Sequence, residues 1–298
     1  MNRQLQDLVS VLSLETLEDN LFRGQSRDLG GKSVFGGQVI GQALVAAYRT
    51  VQSAAPHSLH AYFLRPGDME KPIVYEVDRV RDGNSFTARR VQAIQSGQPI
   101  LSMIASFQKP EPGLEHQVPM PEVPPPESLR TDLELHREWI QAVPNLPERY
   151  AQAFLRELPI EFKPVQPWNP LNPDVRAPQQ AIWFRACGKL PDTNGAPDWM
   201  LHRCVIAYAS DFNFLSTALL PHGRTWFSTT MVCASIDHAL WFHRDARADD
   251  WLLYAMDSPS SQGSRGFSRG QIFDRAGRLI ASVAQESLMR SVASPPGA

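Results

Sequence analysis

Residues 39–50 read VIGQALVAAYRT, and this stretch decides which fold the chain can adopt. It is apolar nearly all round, and a helix with apolar side chains on every side has to be buried. Its small residues would let a sheet approach closely; they are Gly41, Ala43, Ala46 and Ala47. The pattern therefore predicts a central helix enclosed by a sheet.

Long strands are expected to follow that helix, near residues 58–64, 73–81, 85–95 and 100–108. Asp-Gly-Asn at 82–84 and Ser-Gly at 96–97 separate them and are hairpin signals. The second half repeats the order, with a helix near 199–219 and strands near 226–242, 251–257, 265–273 and 278–289. A helix wrapped by a curved antiparallel sheet is the hotdog arrangement, so the sequence predicts an α+β double hotdog.

The two halves also resemble each other in sequence. IVYEVD at 73–78 matches LLYAMD at 252–257, and GQPILS at 97–102 parallels GRLIAS at 277–282. The distance along the chain from first copy to second is almost the same in both matches. Because a nearly constant offset is hard to obtain by chance, the sequence predicts an internal duplication.

Proline separates the halves, since 17 of the 25 prolines lie between Pro110 and Pro197. Proline lacks a backbone N–H and fixes φ, so regular sheet cannot run through the densest of these stretches. We therefore expect an N-terminal hotdog domain over residues 1–110 and a C-terminal hotdog domain over 179–298. A Pro-rich connector should join them over 111–178, with short helices near 129–141 and 147–158.

Charge and cysteine content exclude several classes of protein. The net charge is −2, from 29 basic and 31 acidic side chains, which predicts neither a nucleic-acid partner nor an anionic membrane surface. Apolar runs stay short of the about 18 to 20 residues that cross a bilayer, and no targeting or lipidation motif is recognisable. Three sparse cysteines, Cys187, Cys204 and Cys233, lack metal-ligand spacing. We expect a cytoplasmic protein without membrane insertion.

The common catalytic motifs give little guidance. The phosphate loop, the dinucleotide-binding G-x-G-x-x-G and the zinc-protease H-E-x-x-H are absent. We also expect no G-x-S-x-G nucleophile elbow. His238 and His243 are five residues apart near a predicted strand, which is a poor spacing for one metal, so they are interpreted as structural or surface histidines. Cys204 lies on an apolar helix and is interpreted as an inert thiol. No cofactor and no metal are expected.

Asp211 is the most unusual ionisable residue. Within YASDFNFL at 208–215, helical spacing places it on an apolar face, together with Ala207, Phe214, Leu215 and Ala218. Burial there would raise its pKa, which suits a general base or a group that orients water. A helix cap or turn is an equal alternative, because Ser210 and Asp211 could end the helix at residue 209.

Many segments, in order along the chain, resemble the acyl-CoA thioesterase II family. In the first half they are LFRGQSRDLG at 21–30, VFGGQ at 34–38, YFLRPGD at 62–68 and RDGNSF at 81–86. In the second half they are YASD at 208–211, IDHALWFHR at 236–244, RGF at 265–267 and QESLMR at 285–290. The resemblance covers nearly the whole chain and weakens only in the connector and the last few residues.

The resemblance implies a double hotdog fold and hydrolysis of fatty acyl-CoA to free fatty acid and CoA. The family uses an Asp, a Thr or Ser, and a Gln to hold the attacking water, and these fall on Asp211, Ser235 and Gln285. The first half lacks the set, because Ala105 stands at the repeat position that corresponds to Gln285, and residues 39–50 contain no carboxylate. We therefore expect one catalytic site in the second half, with acyl-CoA as substrate.

Two other functions stay open at this point. One is a hotdog enoyl-CoA hydratase, which would need a paired Asp and His; DMEKP at 68–72 does not match the Asn-Pro-x-x-His pattern of such enzymes. The other is a non-catalytic acyl-CoA-binding module. His60 is a conceivable base, although a structural strand histidine is more usual. A homo-oligomer associating through sheet edges is also expected.

Overall fold

The computed structural model describes residues 3–292 except 145, 227 and 229. Its first half contains a peripheral helix, a short hairpin, the buried helix and four long strands. In chain order these are α1 (Arg3–Leu12), β1 (Glu15–Glu18), β2 (Leu21–Gly24), α2 (Gly36–Tyr48), β3 (Ala55–Phe63), β4 (Ile73–Asp82), β5 (Phe86–Gln95) and β6 (Gln98–Gln108). Ser96 and Gly97 adopt positive φ between β5 and β6, as the hairpin signal predicted.

The middle of the chain holds a 3₁₀ turn (Pro126–Ser128), α3 (Asp132–Gln141), α4 (Glu148–Leu155) and a strand, β7 (Ile160–Pro164). The second half contains β8 (Gln179–Ala186), β9 (Asp192–Thr193), β10 (Ala196–Pro197), α5 (Trp199–Ala209), α6 (Phe214–Leu219), β11 (Met231–Ser235), β12 (Asp237–Phe242), β13 (Leu252–Gln262), β14 (Arg265–Asp274) and β15 (Leu279–Ser291). None of the helices in the described part of the chain has the length and apolarity needed to span a bilayer.

Among the described residues, thirteen strands form one antiparallel sheet. Its order is β1-β2-β4-β5-β6-β3-β12-β15-β14-β13-β8-β7, and β11 also pairs with β15. The order read outward from the central β3–β12 pair is the same in both directions, with Leu59 opposite Leu240 at the junction. This symmetry is what the duplicated sequence pattern predicted.

The buried helices α2 and α5 lie against each other inside this sheet, and one apolar cluster joins residues of both helices and both halves. Their backbones are very close at Gly37, where a Cβ would lie 2.3 Å from the Tyr208 carbonyl oxygen. Any larger residue at position 37 would push α5 away. The contact holds the carboxyl end of α5 against the amino end of α2.

The second half departs from the predicted elements at two points. The helix expected over 199–219 is interrupted between α5 and α6, where Asn213 adopts the left-handed conformation with φ 62°. The strand expected over 226–242 begins only at Met231 and is divided at Ile236 into β11 and β12. Residues 227 and 229 of that stretch lie outside the described residues. Both interruptions carry residues of the site described below.

Other elements were not expected from the sequence. These are α1, the β1–β2 hairpin, β7, β8 and the short strands β9 and β10. Of these, β7 lies inside the segment assigned to the connector and pairs with β8. β7 is short and ends at Pro164, so its pattern was too brief to recognise among the prolines. The domain boundaries at 110 and 178 stay predictions.

Candidate active site

Asp211 lies in the turn between α5 and α6, and its side chain is only 5% exposed. The α5 helix ends at Ala209, as the capping alternative had it, but the carboxylate does not cap that helix. Its Oδ2 instead accepts the Gly37 backbone N–H, at 2.9 Å, from the first turn of α2. The sequence had placed the carboxylate on an apolar face, and the structure turns it toward the helix of the other half.

Burial raises the pKa of Asp211 to about 7, and this effect outweighs the hydrogen bonds from Gly37, Ser235 and Gln285, which lower it. The amino end of a helix carries partial positive charge and also favours the ionised form. The carboxyl group therefore exchanges a proton near neutral pH, which is where a general base is most effective.

Ser235 and Gln285 meet at this carboxylate. The Ser235 hydroxyl donates to Asp211 Oδ1 over 3.4 Å, and Gln285 Nε2 donates to Ser235 Oγ at 3.1 Å. Gln285 is only 1% exposed, and its Nε2 also lies within hydrogen-bond distance of Ser287 Oγ, at 3.1 Å. All three residues predicted from the sequence are thus brought into one hydrogen-bonded cluster.

A β-bulge brings Ser235 to this position. Ser235 pairs with Ser287 on β15, and Ala239 pairs with Ala284, so three residues of the β11–β12 segment stand opposite two of β15. In a regular strand, side chains three residues apart point to opposite faces. The extra residue removes that alternation, so both Ser235 and His238 reach Gln285.

His238, which the sequence pattern interpreted as a structural or surface histidine, lies inside the protein next to Gln285. It is fully buried, with Nδ1 2.7 Å from Gln285 Oε1 and Nε2 2.9 Å from Ser210 Oγ. Burial lowers its pKa to about 4, so the ring is neutral near pH 7. Nδ1 lies 4.0 Å from Asp211 Oδ1. The sequence pattern did not predict that His238 joins this cluster. His238 follows Ser235 by three residues, and only a bulge puts both side chains on one face of the sheet.

A second serine requires a correction to the sequence analysis. GFSRG at 266–270 has the letters of a nucleophile elbow, G-x-S-x-G. Such an elbow is a strand-to-helix turn, whereas Ser268 lies in the middle of β14, paired with Gln285 of β15. Its Oγ is buried and has no hydrogen-bond partner, so no neighbouring base activates it.

The remaining candidates lie away from the carboxylate. His60 is exposed on β3, with its ring edge-on to Trp241 at 5.0 Å. Cys204 is buried on α5, and burial raises the pKa of its thiol far above the usual range. Ala105 is a buried residue of β6 opposite Leu59, where the second half has a glutamine in its corresponding strand. Among the described residues, no group of three His, Cys, Asp or Glu side chains is placed to hold a metal ion.

Comparison with known proteins shows which family this chain is similar to. Two family models match the chain, "Acyl-CoA thioesterase N-terminal domain" over residues 25–108 and "Acyl-CoA thioesterase" over residues 150–288. The chain is 45% identical to acyl-coenzyme A thioesterase 8 of Homo sapiens, over 95% of this chain and 88% of that protein. It is 41% identical to acyl-CoA thioesterase 2 of Haemophilus influenzae, over 97% of this chain and 99% of that protein.

Solved structures give the same result for the fold. The acyl-CoA thioesterase II TesB2 of Mycobacterium marinum superposes with a TM-score of 0.76 at 39% identity, covering 98% of this chain and all of that one. A hot dog protein of Alicyclobacillus acidocaldarius reaches 0.74 at 17% identity, covering 96% of this chain and 99% of that one, which supports the fold alone. The chain therefore belongs to the acyl-CoA thioesterase family, and the double hotdog fold and hydrolase class that its motifs implied are confirmed.

Proposed function

We propose that the chain hydrolyses fatty acyl-CoA to a free fatty acid and CoA, using a water molecule held by Asp211, Ser235 and Gln285. The observation that carries this proposal is their convergence. A helix turn, the end of one strand and the middle of another place a buried carboxylate, a hydroxyl and an amide in one hydrogen-bonded cluster.

In the proposed reaction Asp211 accepts a proton from the water while the water oxygen attacks the thioester carbonyl carbon. A C–O bond forms, and the C–S bond then breaks as CoA leaves as a thiolate. The proton held by Asp211 passes to the thiolate or to solvent, which restores the carboxylate. Ser235 and Gln285 supply hydrogen bonds that orient the water, so its lone pair points at the carbon.

The amino end of α2 provides the positive electrostatic potential that the proposed reaction uses. Gly37 donates its N–H to Asp211, and α2 has no side-chain cap of its own at Phe35. Backbone N–H groups at such an end stabilise negative charge, as a tetrahedral intermediate requires. A residue with a side chain at Gly36 would place its Cβ 2.7 Å from Asp211 Oδ2, so the approach to the carboxylate depends on glycine there.

An enoyl-CoA hydratase is the second candidate, because His238 Nδ1 is 4.0 Å from Asp211 Oδ1 and the two form the Asp–His pair that such chemistry needs. Both ring nitrogens of His238 are already engaged, with Gln285 and Ser210, and the ring is fully buried. A ring held in this way is not free to deliver a proton to substrate. The geometry therefore favours hydrolysis.

Incubation of the protein with decanoyl-CoA, with a thiol reagent present, tests the proposal. The thioesterase releases one free thiol for each acyl-CoA consumed. A hydratase acting on an enoyl-CoA changes the acyl chain without releasing thiol, and a binding module releases none. Stoichiometric thiol release that is lost in Asp211→Asn supports the proposal, and an absence of thiol release from the folded wild-type protein contradicts it.

We further propose that the enzyme works in the cytoplasm as a homo-oligomer. The sparse, odd cysteine content supports a reducing compartment. The edge strand β1, with all four residues exposed, supports association of copies. Light scattering coupled to size-exclusion chromatography measures the mass directly. A mass of one chain, 33.4 kDa, would contradict the oligomer.

A further inference from the structure

The side chain of His238 is fully buried and has a polar partner at each ring nitrogen. Its Nδ1 is 2.7 Å from Gln285 Oε1, and its Nε2 is 2.9 Å from Ser210 Oγ. Ser210 is itself held, because Tyr254 donates its hydroxyl to the Ser210 carbonyl oxygen at 3.0 Å. The result is a rigid polar support behind Gln285.

We propose that His238 is a positioning residue, which fixes the orientation of the Gln285 amide by donating from Nδ1 to its Oε1. The proposal rests on the hydrolysis proposed above. It adds a residue to that reaction, one that acts through Gln285 without contacting the water or the substrate.

The orientation matters because an amide has a donor side and an acceptor side of almost equal size. With its oxygen on His238, Gln285 must turn its NH₂ group toward Ser235. Ser235 then accepts from the amide and keeps its own hydrogen for the Asp211 carboxylate or the water. The donors thus run in one direction, from His238 through Gln285 and Ser235 to Asp211.

If the amide were flipped, so that its oxygen and nitrogen exchanged places, the oxygen would face Ser235 and compete with Asp211 for the Ser235 hydrogen. The carboxylate would lose a donor, and the water would face a different set of partners. Burial makes the difference large, because a buried polar group left without its partner has no water to replace the lost hydrogen bond.

The tautomer of His238 decides between these two states. A neutral ring protonated at Nδ1 needs the Ser210 hydroxyl hydrogen at Nε2. Ser210 Oγ also lies 2.9 Å from the Ala207 carbonyl oxygen, and its single hydrogen can serve fully only one of the two. If the hydrogen pointed to Ala207, the ring proton would sit on Nε2, and Gln285 would have to turn its NH₂ group to His238.

A double-mutant cycle separates positioning from simple packing. We expect His238→Leu to lower kcat on decanoyl-CoA by about 10- to 100-fold, with KM changing less than about threefold. Because His238 acts through Gln285, adding His238→Leu to Gln285→Ala should change kcat by less than about threefold. If the two losses multiply in the double variant, the proposal is wrong.

Two further variants serve as controls. His238→Asn keeps an N–H donor close to the Nδ1 position and should recover part of the activity lost in His238→Leu. His202 is also fully buried, on α5, and accepts the Ala248 N–H through Nδ1 without touching the site. His202→Leu should lower the melting temperature but leave kcat of the folded protein within about threefold.

NMR of ¹⁵N-histidine-labelled wild-type protein tests the tautomer without relying on activity or on the folding of a variant. We expect the His238 ring to be neutral and protonated at Nδ1 from pH 6 to 8. A ring protonated at Nε2, or at both nitrogens, overturns the proposal. A wild-type protein that releases no thiol refutes the proposed function, whereas an active wild type with unchanged kcat in folded His238→Leu refutes only the role of His238.

Discussion

The two hotdog halves share one architecture but only one of them carries the carboxylate. In the first half α2 runs unbroken for 13 residues and β3 is a single strand. In the second half the helix breaks after Ala209 and the equivalent strand breaks at Ile236. The two breaks position Asp211 and Ser235 of the proposed site. Local irregularity, and not the fold, therefore distinguishes the half that carries the carboxylate.

The ends of the two buried helices differ in a complementary way. The amino end of α5 is capped by its own Asp198, which accepts the Leu201 N–H at 3.0 Å. The amino end of α2 has no such cap, and its Gly37 N–H goes to Asp211 of the other half. The first half is therefore not a passive copy, since it provides the positive helix end that faces the proposed base.

The largest effect is expected at Asp211. Asp211→Asn should lower kcat by about 10² to 10⁴-fold, because an amide cannot accept the proton of the water. The asparagine oxygen can still accept the Gly37 N–H, so the junction of the halves should survive. Thiol release from decanoyl-CoA measures the rate and circular dichroism checks the fold; near wild-type turnover in a folded variant would remove Asp211 from the mechanism.

Substitutions of Ser235 test whether the strand break at Ile236 contributes to catalysis. Ser235→Ala should lower kcat by about 10- to 1,000-fold, as expected for one lost hydrogen bond that positions the water. Ser235→Thr should be tolerated, because it keeps the hydroxyl. Steady-state kinetics of both variants give the answer, and equal rates for Ala and Ser would mean that Ser235 is only a strand polar residue.

The pH dependence should follow the raised pKa of Asp211. The carboxyl group must be ionised to act as a base, so kcat/KM should fall about tenfold per pH unit below about pH 7. An apparent pKa near 7 in this pH–rate profile also lies close to the pKa of a free imidazole, about 6.5. The profile by itself therefore does not distinguish Asp211 from a histidine as the base. The fall in kcat/KM at low pH should persist in His60→Ala. If it disappears in that variant, the assignment of Asp211 as the base is wrong.

The same raised pKa predicts an effect on stability. Folding favours the protonated carboxyl, so its stabilising contribution is complete below about pH 3.9 and is lost as the pH rises through about 7. The melting temperature of Asp211→Asn should therefore increase relative to wild type between pH 5 and pH 8. A difference that does not change with pH would show that the carboxyl is not buried as described.

A smaller effect is expected for the first-half histidine. His60 is exposed on the outer side of the central strand pair and lies against Trp241, so His60→Ala should keep kcat within about tenfold of wild type. The kcat values of His60→Ala and Asp211→Asn should be measured in the same assay, so that the two variants are compared directly. Loss of turnover in folded His60→Ala, with Asp211→Asn active, would move the chemistry to the first half.

The smallest effect is expected at Ser268. Ser268→Ala should change kcat by less than about threefold and should not lower the melting temperature, because the hydroxyl is buried without a partner. If Ser268 were a covalent nucleophile, alanine would abolish turnover. This variant thus distinguishes a water mechanism from an acyl-enzyme, and Ser235→Ala is its matched counterpart.

The sequence by itself determined the duplicated fold and identified three candidate site residues. The apolar stretch at 39–50, the hairpin signals and the repeat at a nearly constant offset are local or periodic features, and such features survive without knowledge of contacts. Motif resemblance then singled out Asp211, Ser235 and Gln285.

Only the tertiary structure decided how those residues meet. The Gly37–Asp211 hydrogen bond joins residues 174 positions apart, and nothing near either residue encodes it. The bulge at Ile236 reverses the side-chain alternation that places His238 behind Gln285, and a pattern of period two cannot anticipate one extra residue. The raised pKa of Asp211 has the same origin, because desolvation depends on every element that closes around the carboxylate.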